Sequence, residues 1–137
     1  MVGPEASRYI EFDLAEHPPL DLAGYLDRAA RHLTVRRAWA RQAVVTPLLL
    51  GPVSTRVSFT PGQESRSAED KRRYGRSMTL SVWATAVGAP AVAVPAGLAE
   101  GLPAGVQLIG PAFREDAVLD AAQVIEDACG VLTPVHG

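Results

Sequence analysis

One cysteine and one lysine are all that 137 residues supply, and each scarcity removes a class of chemistry. With Cys129 alone, neither an internal disulfide nor a cysteine-built metal site can form, which suits a reducing compartment. The three histidines, His17, His32 and His136, are dispersed and never take a His-x-x-x-His spacing, so no metal site and no cofactor is expected. Aromatic residues make up only 6% of the chain. The formal net charge is −2, so no overall field draws nucleic acid or an anionic membrane. No apolar run approaches the ~20 residues needed to span a bilayer. The N-terminus lacks the basic–apolar–small pattern of a secretory signal. The expected location is the cytoplasm. Neither an internal repeat nor a low-complexity tract is present.

What remains is a globular composition, 47% apolar and 20% charged, with room for one domain. The basic run Lys71-Arg72-Arg73 with Arg76 is balanced by Glu64, Glu69 and Asp70, and reads as a solvated helix face.

Along the chain, residues 1–19 show little periodicity and end in His17-Pro18-Pro19, which blocks a helix. They read as an irregular segment; Tyr9–Phe12 fits a short strand or part of a helix equally. Residues 20–137 form the domain proper. Asp21 is a plausible N-cap for an amphipathic helix with Leu22, Leu26, Ala29, Ala30 and Leu33 at three- and four-residue steps. Ala43-Val44-Val45-Thr46 is apolar and β-branched, which predicts a buried strand stopped by Pro47, with Leu48–Pro52 as a covered loop. Ser67 is a candidate N-cap for one long helix reaching Val87, acidic in its first turn and apolar in its second half. Ala91–Val94 and Gly105–Ile109 predict two more strands, joined by a short glycine-rich turn that favours antiparallel pairing. A last helix follows, with Glu115 and Asp116 in its first turn, Gly130 at its end, and a stripe of Val118, Ala121, Ala122, Ile125, Ala128 and Cys129. The fold class is therefore α/β, with about three strands covered by helices.

Three segments in order carry a resemblance: Gly88-Ala89-Pro90-Ala91, Val94-Pro95-Ala96-Gly97, and Gly101-Leu102-Pro103-Ala104-Gly105-Val106-Gln107. Phe113–Asp116, the helix after it and its Gly-Val-Leu-Thr-Pro ending extend the pattern, and Val45-Thr46-Pro47 matches a Thr-Pro strand end upstream. Together they resemble the C-terminal part of amidase-signature hydrolases. Each piece alone is common; the ordered set from about Leu20 onward is specific. One position departs from the pattern: family members often carry Asn three residues before the turn glycine, where this chain has Thr85.

The resemblance implies that these strands are a partial mixed sheet covered by helices, a fragment of the larger amidase-signature fold. It also implies hydrolysis of carboxylic amides through an acyl-enzyme, by a Ser–Ser–Lys triad and a Gly/Ser-rich oxyanion loop. Those parts normally precede the segment seen here. The one lysine, Lys71, sits among charged neighbours that keep it protonated, and no Ser-Ser pair occurs. Ser77 and Ser81 read as helix-face residues, and Ser54 and Ser58 as loop residues. No catalytic residue is therefore assigned, and Thr46 and Thr85 are the candidate pocket-lining residues. Cys129 reads as a buried, inert thiol, Glu115 and Asp116 as helix-dipole partners, and Trp39 and Trp83 as core. The expected partner is the missing amidase portion, or a second copy through open sheet edges. A non-enzymatic interaction module is the alternative; a small thiol or histidine enzyme is a third.

Overall fold

A computed structural model describes residues 3–130. The segment expected to be irregular is a helix, α1, Pro4–Glu16. Pro4 stands in its first turn, where a missing N–H costs nothing, Glu5 complements the dipole, and the helix stops before Pro18-Pro19. Tyr9 and Phe12 are its half-buried side, and Ile10 and Leu14 are exposed.

Helix α2, Leu22–Val45, begins as the sequence predicts, with the Asp21 carboxylate accepting from the Gly24 N–H at 2.8 Å. It then runs through the segment expected to be a buried strand. Val44 and Val45 are helical and 84% and 80% exposed. The correction has a local cause. The helix from Asp21 has no breaker before Pro47, and proline disfavours helical geometry at the residue before it, so α2 ends there. The strand lies instead in the stretch expected to be a covered loop: β1, Leu49–Pro52. As an outer strand it tolerates Pro52 at its end.

The single long helix expected over residues 67–87 is two. Ser67 caps α3, Ala68–Ser77, accepting from the Asp70 N–H at 3.0 Å. The chain breaks at Met78, whose N–H is shared between the Tyr74 and Gly75 carbonyls, and resumes as α4, Thr79–Val87. Ser77 and Thr79 donate their hydroxyls to the Tyr74 and Arg76 carbonyls, each at 2.7 Å, side-chain bonds of the kind that compete with a helical ladder.

Strands β2, Ala91–Ala99, and β3, Leu102–Ile109, are longer than their apolar cores suggest. Pro95 does not close β2; the register shifts between Pro95 and Gly97, leaving Ala96 as a bulge, and pairing continues to Ala99. Glu100 and Gly101 both have positive φ, 54° and 79°, and form the two-residue turn that suits a twisted hairpin. The sheet order is β1-β3-β2, with both pairings antiparallel.

Strand β3 decides the layering because its two faces are buried differently. Val106 and Leu108 face α5, Glu115–Cys129; Leu108 forms the core cluster with Val94, Val118 and Ala122, and Val106 packs against it. Gln107 and Ile109 lie on the other face, towards α4. Close approach is built into both layers. A Cβ on Gly51 would collide with Leu80 of α4, and one on Gly110 with Val118 of α5. Helix α4 covers the β1–β3 half only, so Ala91, Ala93 and Pro95 of β2 stay exposed.

The last helix differs from expectation at its end. Val118, Ala121, Ala122 and Ile125 pack as predicted, but Ala128 and Cys129 are exposed. The thiol expected to be buried is at the surface. His136 and Val131–Pro134 lie outside the described residues.

Candidate functional site

The chain leaving β1 runs from Val53 to Phe59 without regular structure, and it walls an open cleft of about 730 Å³. The opposite walls are Tyr74 and Met78 at the α3–α4 break, and Ala99, Glu100 and Pro103–Gly105 of the hairpin. Three bonds hold the wall: Val53 N–H to the Gly105 carbonyl at 3.3 Å, Thr55 N–H to the Ser77 carbonyl at 3.0 Å, and Ser81 Oγ 2.9 Å from the Val53 carbonyl. Phe59 and Tyr74 meet edge-to-face, with centroids 5.0 Å apart. Arg56 and Glu100 carry the cleft's opposite charges, Ser54, Thr55 and Ser58 its hydroxyls. It can hold a small molecule with an apolar body and polar ends.

Ser81 is not simply a helix-face serine. Its Oγ lies 3.0 Å from Gln107 Oε1 as well as facing the Val53 carbonyl, linking α4 to β3 and to the cleft wall. A hydroxyl has one proton, so only one of these two acceptors can receive it. Gln107 is buried and its Nε2 has no partner. Turning the amide over satisfies the geometry better: Nε2–H then donates to Ser81 Oγ, which donates to Val53. No local signal announces this pair, because a Gln in a strand carries no pattern of its own.

Lys71 is the clearest correction at the site. The basic run reads as a solvated face in the sequence, yet the Lys71 side chain is 7% exposed. Its Nζ lies 2.6 Å from Asp13 Oδ1, 3.6 Å from Glu16 Oε2 and 5.4 Å from the centre of the Tyr9 ring. Arg72 bonds Glu16 at 3.0 Å. The hydrogen bond to Asp13 raises the Lys71 pKa above its ordinary value, and the same bond lowers that of Asp13. Desolvation opposes ionisation of Glu16, but Arg72 and Lys71 outweigh it and lower its pKa. Two carboxylates beside a lysine favour its charged form, and here they act through burial with partners rather than through solvent.

The remaining candidates have structural roles. Ser77 is buried and donates to its own helix, and Ser54 accepts from the Arg56 N–H at 3.2 Å. Asp116 is gripped by Arg114 at 2.9 Å, which lowers its pKa. Trp39 and Trp83 pack edge-to-face at 4.9 Å and are half-buried, joining α2 to α4. His32 bonds the Ala86 carbonyl near the end of α4. Among the described residues no group of three His, Cys, Asp or Glu side chains converges.

Thr46 and Thr85 are not brought together at a cleft. Thr46 is the exposed C-cap of α2, its Oγ1 accepting from Gln42 at 3.2 Å. Thr85 is exposed on α4 and bonds the Ser81 carbonyl at 3.2 Å. Neither lines the 730 Å³ cleft.

No helix of the described residues is long and apolar enough to cross a membrane. The family model for amidases matches residues 11–119. The glutamyl-tRNA(Gln) amidotransferase A subunit of Allorhizobium ampelinum is 36% identical over 121 residues, 83% of this chain and 24% of the relative. An indoleacetamide hydrolase from Bradyrhizobium diazoefficiens is 39% identical over 117 residues, 82% of this chain and 22% of the relative. Among solved structures, the glutamyl-tRNA(Gln) amidotransferase A subunit of Thermotoga maritima shares the fold with a TM-score of 0.56 at 21% identity, covering 90% of this chain and 33% of that one. The chain thus spans about a quarter of the length of these curated relatives. By these matches the chain belongs to the amidase family and spans a fragment of its fold.

Proposed function

We propose that this chain is the C-terminal portion of an amidase-type carboxylic amide hydrolase, supplying scaffold and one wall of an acyl pocket while another polypeptide portion supplies the reactive groups. The observation that carries this is Lys71: the one lysine of the chain is sealed between Asp13 and Glu16. A Ser–Ser–Lys mechanism needs a neutral lysine beside a serine, and this geometry favours the charged form. The chain alone is then inactive on amides. The Val53–Phe59 cleft is the surface it would contribute. Thr46 and Thr85 stand as secondary candidates for contact with the missing portion, since both are exposed. A cytoplasmic setting accompanies this reading, because an exposed lone thiol such as Cys129 persists best in a reducing compartment.

The test is co-expression with the indoleacetamide hydrolase of Bradyrhizobium diazoefficiens from which the matching stretch has been deleted. Restored hydrolysis of indoleacetamide supports the proposal. Hydrolysis no greater than for the deleted enzyme alone, with both chains folded and co-purifying, removes it. A non-enzymatic interaction module is the second reading, favoured by the exposed apolar surface of α2; a complex that forms without hydrolysis selects it.

A further inference from the structure

Helix α2 packs on α4 through one face only. His32, Trp39 and Ala43 point that way, meeting Ala86 and Trp83 or lying buried. At about 100° per residue, Leu22, Leu26, Leu33, Ala40 and Val44 fall within roughly 40° of one another, about a quarter turn from that face. All five are exposed, Leu22 at 74%. Leu33 and Ala40 edge a shallow pocket beside Val87, Gly88, Ala89 and Ala112, and the rest of the stripe, which runs for roughly 33 Å at helical rise, is open among the described residues. Isolated exposed leucines need no explanation, but a continuous row does.

Charge says what kind of surface would cover it. Within α2 there are five arginines, Arg28, Arg31, Arg36, Arg37 and Arg41, against one acid, Asp27, which is already paired with Arg31 at 2.8 Å. Arg37 and Arg41 border the stripe directly at helical spacing, and both are exposed. A second copy's α2 would bring like charge against like. A second copy's α5 is acidic, but its apolar stripe is already spent on the sheet, and the Asp13 and Glu16 carboxylates of its acidic α1 are already engaged by Lys71 and Arg72.

We infer that the Leu22–Val44 stripe of α2 is a docking surface for an acidic amphipathic helix of the partner polypeptide. Leucine-type side chains of that helix fill the stripe and its Asp or Glu flanks face Arg37 and Arg41. This inference rests on the functional proposal and names the contact, but it is read by binding rather than by hydrolysis. The partner's charge sets the register and the association rate, and the apolar stripe holds the complex.

Two probes test it with the full chain. One is the indoleacetamide hydrolase lacking the matching stretch. The other is a synthetic helical peptide with leucines along one face and glutamates on both flanks, alongside the same peptide with lysines in place of glutamates. The expected result is binding of the glutamate peptide, weakened as salt rises from about 0.05 to 0.5 M, and little binding of the lysine peptide. Leu26→Glu with Leu33→Glu should reduce affinity for both the glutamate peptide and the deleted hydrolase by about tenfold or more. Arg37→Glu with Arg41→Glu should reverse the preference between the two peptides. Because these residues are exposed, helicity by circular dichroism should be unchanged. Equal binding of both peptides, no binding of either, or a complex indifferent to all four substitutions overturns the inference. A complex that depends on α2 yet shows no hydrolysis upholds it and counts only against the amidase proposal. A doubled mass of the chain by itself, abolished by the leucine substitutions, assigns the stripe to a second copy and overturns it too.

Discussion

Ile109 and Leu33 show how little a residue's type says about its cost. Ile109, the last residue of the middle strand, is fully buried on the sheet's α4 face, so Ile109→Ala should remove about 2–5 kcal/mol and lower the urea midpoint accordingly. Leu33 is half exposed, and Leu33→Ser should stay within about 0.5 kcal/mol. Lys71 is legible in the sequence as protonated but not as buried, because Asp13 and Glu16 are distant along the chain and arrive only when α1 docks on α3. That clamp predicts a pH window. Asp13 and Glu16 have lowered folded pKa values, so their contribution is present above the ordinary carboxylate range and is lost as pH falls through the folded values. Lys71 is raised, so its contribution is present below its unfolded value near about 10.4 and is lost as pH climbs through the folded one. Protection factors for amide exchange across residues 4–16, taken against the intrinsic exchange rate at each pH, should fall below about pH 4 and again above about pH 10.5, and stay flat between. A profile unchanged by Lys71→Met would show that the clamp contributes nothing.

At the scale of elements, caps are the most readable signals. Asp21 and Ser67 can be placed from sequence alone because a cap is a local bond between residues three apart. Ser67→Ala should cost about 1 kcal/mol, seen as a lower thermal midpoint and faster exchange in the first turn of α3, whereas Ser58→Ala in the cleft wall should change neither. The strand expected at residues 43–46 fails for an equally physical reason. A short β-branched run fits a buried strand and a helix end alike, and only length and partners separate them. Leu49–Pro52 becomes the strand because β3 offers it a register, Leu49 against Ile109 and Gly51 against Gln107, and because Gly51 lets α4 lie close. Nothing local announces either condition.

At the scale of the molecule, three faces stay open among the described residues: the α2 stripe, the outer part of β2 at Ala91 to Pro95, and the cleft beyond Val53. An apolar dye should therefore bind the native chain, and binding should fall by more than about half when the deleted hydrolase is added in excess if these faces are the docking area. Dye binding that the partner leaves untouched would place the docking area elsewhere.

From the sequence come the family pattern, the caps, the hairpin with its glycine-rich turn and most of the apolar stripe of the last helix, because each is set by residues near one another. Only tertiary structure decided that α1 seals Lys71, that β1 replaces the strand expected at Ala43, that Ser81 joins Gln107 to the cleft wall, and that Cys129 stays exposed. Each of those depends on contact between distant segments, and burial, unlike periodicity, is a property of the partner as much as of the residue.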